Sequence, residues 1–122
     1  MGGYAALMFG CLCGFAKVLA FCPQTFISPE LRSKHGDLRW QEQLTSIEIQ
    51  EIGDVKQLLN DSEGLETHIY VGKDQPLDLL HAERLTGVKN VNVYLVDNCG
   101  HNVAQYLRDS GQLNEIIARL LA

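Results

Sequence analysis

The chain has 122 residues, of which 46% are apolar and 20% charged, and a formal net charge of −5. That length supports one small domain (residues 1–122) with a core of its own, and the composition is ordinary for a soluble globular chain. The negative balance and the scattered Lys and Arg exclude the basic face that a nucleic-acid partner or an anionic membrane surface would select.

Residues 3–13 are apolar on every side, which predicts a helix wrapped by protein. Gly14 is placed to cap its C-terminus. The first 16 residues carry no charged side chain. They lack the basic segment of a signal peptide, and Gly14 and Lys17 interrupt a span of about 20 residues. No membrane partner and a cytoplasmic location are expected. Lys17–Phe21 reads as a short buried parallel strand ending at Cys22-Pro23. Residues 23–36 read as a loop, with breakers at Pro23, Ser28, Pro29 and Gly36. Asp37 is placed to cap a short helix through Leu44, with Leu38 and Trp40 apolar. Residues 45–53 are ambiguous: Ile47 and Ile49 alternate like a strand, and Ile52 breaks the pattern. Asp54 is placed to cap a helix whose inner face is Val55, Leu58 and Leu59.

His68–Gly72 is the second predicted strand. A helix follows from Leu79 to Leu85, with Asp78 as a candidate N-cap. Val91–Val96 is the third strand. A short helical segment starts near Asn102 and breaks at Asp109-Ser110-Gly111. The last helix carries Leu113, Ile116, Ile117, Leu120 and Leu121 as a helical stripe. Strands alternating with helices imply parallel pairing and right-handed crossovers. The expected fold class is α/β: a three-layer α/β/α arrangement around about three parallel strands. No G-x-G-x-x-G occurs, which argues against a dinucleotide-binding module.

The four cysteines, Cys11, Cys13, Cys22 and Cys99, show no C-x-x-C spacing. No metal site and no cofactor are expected, and the thiols read as buried and reduced.

Three stretches resemble the C-terminal half of the α/β-hydrolase superfamily of serine esterases, lipases and acyltransferases. Met1-Gly2-Gly3-Tyr4-Ala5-Ala6-Leu7 is similar to the small-residue run that follows the nucleophile elbow in that family. Gly72-Lys73-Asp74-Gln75-Pro76-Leu77-Asp78 stands where the family carries its triad acid. Cys99-Gly100-His101 stands where it carries the general base, with Gly100 expected to let the loop turn. The resemblance implies His101 as base, Asp78 or Asp74 as its acid partner, and Met1 beside the oxyanion position. It also implies a truncated protein, since the nucleophilic serine would precede Met1. His35, His68 and His81 read as bystanders.

On that resemblance the chain alone is expected to lack esterase activity, because nucleophile and oxyanion hole are missing. The alternative is a small α/β binding or interaction module that works with a partner chain. An uncovered first strand and first helix imply a homo-oligomer through residues 1–21.

Overall fold

The computed structural model describes residues 2–46 and 53–122. Ten elements follow in order: α1 (Gly2–Leu12), β1 (Lys17–Phe21), α2 (Pro29–His35), α3 (Gln41–Thr45), α4 (Val55–Asp61), β2 (Glu66–Gly72), α5 (Pro76–Glu83), β3 (Val91–Val96), α6 (Val103–Asp109) and α7 (Gln112–Leu121). The strands form one small open sheet in the order β1-β2-β3, all parallel. The coarse expectation of a small α/β fold with three parallel strands holds.

Strand alternation decides which residues face which helix. Val18, Ala20, Thr67, Ile69 and Val71 are all buried. They share one sheet face, because Val18 pairs with Thr67 and Ala20 with Ile69. Helix α1 packs on β1 and on α4. Tyr4, Leu7 and Gly10, spaced by one turn each, form its buried stripe. Leu7 is fully buried, so Leu7→Ala should cost about 2–5 kcal/mol. The rest of α1 departs from expectation. Phe9 and Leu12 are half exposed, as is Phe15 beyond it, so the helix is covered on one side only.

The opposite face carries Tyr70 and Tyr94, stacked with centroids 4.5 Å apart. Helix α7 lies over this side. A cavity of about 320 Å³ is lined by His68, Tyr70 and Tyr94 and by Ile116, Arg119 and Leu120 of α7. Ile116 is buried, with Leu113 and Leu120 packed beside it, whereas Ile117 and Leu121 are exposed. The apolar stripe is narrower than the sequence suggested.

Several caps behave as read. Asp54 accepts a hydrogen bond from Lys56 N–H at the start of α4. Gly14 adopts the left-handed conformation that ends α1. Others do not. Residues 29–35, read as loop, form α2: Pro29 occupies its first turn with Glu30, and Gly36 closes it in the left-handed region. Asp37 caps no helix: its carboxylate accepts from Arg39 N–H at 3.1 Å in a turn, and α3 begins only at Gln41. Asp78 is not the N-cap of α5 either. Gln75 takes that place by accepting from Leu77 N–H, and Asp78 lies within the first turn. The ambiguous Ile47, Ile49 and Ile52 lie outside the described residues, as does Met1. Among the described residues, no helix is long and apolar enough to cross a membrane.

Candidate functional site

Parallel strands bring their C-terminal ends to one rim, and the loops leaving that rim carry the polar cluster of the molecule. His101 lies on the loop after β3. Its Nδ1 is 2.7 Å from Asp78 Oδ2. A carboxylate only accepts, so Nδ1–H donates and Nε2 keeps its lone pair. Asp78 is buried, and the His101 side chain is 45% exposed. The imidazole therefore has one nitrogen tied to a fixed carboxylate and the other without a hydrogen-bond partner among the described residues, on a ring that meets solvent.

Of the two acids weighed for this partner, the fold brings only Asp78 to His101. Asp74 is exposed. Its backbone N–H donates to Cys99 O, 2.9 Å away, which pins the loop after β2 to the loop after β3. The glycine that makes the close approach possible is Gly72 rather than Gly100. A Cβ on Gly72 would collide with the carbonyl oxygens of Gly100 and Cys99, whereas one on Gly100 would meet open space. The sharp backbone turn of the loop after β3 falls on Asn98, in the left-handed region.

Arg39, not singled out from sequence, organises the acid. One guanidinium nitrogen donates to Asp78 Oδ1 at 2.8 Å. The others donate to Asp37, at 2.9 Å to Oδ2 and 3.0 Å to Oδ1. The planar fork of Arg suits such two-carboxylate bridging. Asp37 also receives Arg32 at 3.2 Å and His81 Nε2 at 2.8 Å. Burial pushes the Asp37 carboxyl up, but hydrogen bonds from Arg39 and His81 outweigh it, leaving it well below the usual carboxylate range. A cavity of about 60 Å³ borders this network at Arg32 and Asp37.

His81 is wholly buried and serves the same network. Thr25 N–H donates to its Nδ1 at 2.9 Å, so Nε2 carries the proton toward Asp37. Burial lowers its pKa despite the Asp37 carboxylate. Its ring stacks on Phe26 at 4.2 Å. His35 packs against Phe26 from the other element, and His68 bonds Glu66 and Tyr94 away from the rim.

Trp40 flanks the outer side of the rim. Its ring lies 5.8 Å from the His101 ring, with the Arg39 guanidinium 5.0 Å above it. Cys22, one residue beyond β1, sits inside the rim with φ 45°. Burial pushes its thiol up to about 12, and the nearby Asp78 charge adds to the rise. The thiols were expected to be buried; Cys22 and Cys99 are, but Cys13 is exposed.

No family model and no curated protein matches the chain. A solved structure does. It is described as the capsule O-acetyltransferase of Neisseria meningitidis serogroup A, a histidine-to-alanine mutant in complex with CoA. The identity is 17%, the TM-score 0.59, and the match covers 92% of this chain and 52% of that one. The chain thus spans about half the length of that structure. At this identity the likeness concerns the fold. It corrects the reading from resemblance: the neighbour found is an acetyltransferase by description, and the α/β-hydrolase kinship and its esterase vocabulary are not supported. What stands is a fold shared with an acyl-transfer protein.

Proposed function

We propose that the rim holds the acid–base corner of an acyl-transfer site, with His101 as general base and Asp78 as the group that orients it. The single observation carrying this reading is the His101–Asp78 pair, with Nδ1 engaged and the half-exposed ring's Nε2 without a hydrogen-bond partner among the described residues. The chemistry follows from that geometry. Nε2 takes the proton of an acceptor hydroxyl as its oxygen attacks the acyl carbon of a thioester. A C–O bond forms and the C–S bond breaks. The proton passes from Nε2 to the departing sulfur, and Asp78 stabilises the imidazolium between the two steps. Arg39 holds Asp78 in place. A CoA thioester is the favoured donor, because CoA is what the structural neighbour was found with. Asp74 is assigned a loop-pinning role, and Met1 no role.

The reading includes a three-layer α/β/α arrangement, with α1 and α4 on one side of the sheet and α7 on the other. It also includes self-association through residues 2–21, which would cover Phe9, Leu12 and Phe15. Sedimentation velocity of Leu12→Ser against the parent chain tests that part; an unchanged monomer in both removes it.

The activity is tested by incubating the chain with acetyl-CoA and a polyhydroxylated acceptor and following acetyl transfer by mass spectrometry. Transfer that falls about 10²–10⁴-fold in His101→Ala is the expected result. Transfer indifferent to His101, or no transfer at all, overturns the reading.

A further inference from the structure

Cysteine spacing in the sequence predicts no metal site, yet the fold assembles a ligand set that spacing does not encode. Cys22 Sγ, a carboxylate oxygen of Asp78 and a ring nitrogen of His101 all lie within 4.8 Å of one another. They arrive from three separate places: the end of β1, the first turn of α5 and the loop after β3. Cys22 and Asp78 are buried and His101 is exposed, so the cluster is walled on the inside and open to solvent on one side.

Thiolate, imidazole and carboxylate are the donors that Zn(II) prefers, and three protein ligands leave its fourth tetrahedral position for water. We propose that Cys22, Asp78 and His101 form a site for one soft divalent cation of the Zn(II) class, completed by a water molecule. Tetrahedral coordination needs the donor atoms about 3.3–3.7 Å apart, given Zn–S near 2.3 Å and Zn–N or Zn–O near 2.0–2.2 Å. Rotation about side-chain torsions has to bring the Cys22 sulfur in from within 4.8 Å and open the His101–Asp78 contact from 2.7 Å.

On coordination Cys22 gives its thiol proton to solvent. The cation takes the place of the proton that joins His101 to Asp78, and the imidazole, by exchange with solvent, carries its proton on Nε2 instead. Arg39 stays on the other Asp78 oxygen, where it orients the ligand, and its positive charge is offset by Asp37, its second carboxylate partner. Metal binding and the His101–Asp78 hydrogen bond therefore exclude one another. A bound cation would hold the imidazole fixed and withdraw it from acid–base work. The site itself does not rest on the acyl-transfer reading, because its readout is metal uptake.

The test uses the full chain after chelator treatment. It is titrated with Zn(II) against a chromophoric chelator, and with Co(II) to detect the thiolate-to-metal charge-transfer band. One equivalent is expected. Cys22→Ser should abolish the cobalt band and weaken zinc binding about 100-fold, His101→Ala should weaken it at least about 10-fold, and Cys13→Ser should leave both unchanged. No uptake overturns the site, as does a band that survives Cys22→Ser but vanishes in Cys11→Ser or Cys13→Ser. Should Cys22→Ser fail to fold, alkylation of the parent chain in mild urea decides the matter. Zinc should slow modification of Cys22, located by mass spectrometry, and an equal rate with and without zinc overturns the proposal.

Discussion

Two His–Asp pairs of nearly equal length stand in one molecule: His81–Asp37 at 2.8 Å and His101–Asp78 at 2.7 Å. Arg39 touches both carboxylates. The pairs differ in what lies beyond the imidazole. The second nitrogen of His81 is occupied by Thr25 N–H, and its ring is sealed against Phe26. The second nitrogen of His101 has no hydrogen-bond partner among the described residues, and its ring meets solvent. Separation alone does not confer chemistry. An unused lone pair with access to a reactant does, and the buried pair serves to hold Arg39, which in turn holds Asp78.

The largest effect should come from breaking the buried hub. Asp37→Asn leaves Arg32 and Arg39 without their shared carboxylate and should cost about 3–5 kcal/mol in urea unfolding. Asp78→Asn should cost less, since Asp37 still engages Arg39; equal losses would erase the distinction between the pairs. Next, His81→Ala should cost about 3 kcal/mol, from a cavity beside Phe26 and the loss of one buried hydrogen bond to Asp37, which keeps Arg32 and Arg39. His101→Ala should stay within about 1 kcal/mol while abolishing the site's chemistry. A His101→Ala chain as unstable as His81→Ala would mean that both pairs are structural.

Gly72→Ala sharpens the comparison from the backbone side. The new methyl has to displace the Cys99–Gly100 carbonyls, at about 1–3 kcal/mol. It should move His101 away from Asp78 and leave His81 untouched. Nitrogen-resolved NMR of the two imidazoles would show whether only one changes.

The smallest effect is a pH slope. The folded pKa of His81 lies below its ordinary 6.5. Protons therefore bind the unfolded chain more readily, so this contribution is complete above 6.5 and is lost as pH falls below it. Asp37, lowered from 3.8, adds a second loss under stronger acid. Urea midpoints on either side of 6.5 should differ more in the parent chain than in His81→Gln; parallel lines would refute it.

The sheet was largely legible because its strands are compact apolar runs: Lys17–Phe21 and Val91–Val96 were placed residue for residue. The α2 helix was not, although Ser28-Pro29-Glu30 and Gly36 carry start and stop chemistry; breakers in a polar stretch masked it. Asp37 and Asp78 looked like caps because an aspartate before an apolar run usually is one. Tertiary ion pairing overrode that local preference. The His101–Asp78 contact joins two stretches that the sequence had singled out. Arg39 was not legible, since it meets Asp78 across 39 residues and no local pattern announces it. The Cys22–Asp78–His101 cluster escaped for the same reason: metal motifs are recognised by spacing, and here the fold alone supplies proximity.

Trp40 is the sole tryptophan of the chain. Its indole sits 5.8 Å from the His101 ring and beneath Arg39. The molecule therefore carries an intrinsic fluorophore at the rim, and its emission should report whatever arrives at that imidazole without any attached dye.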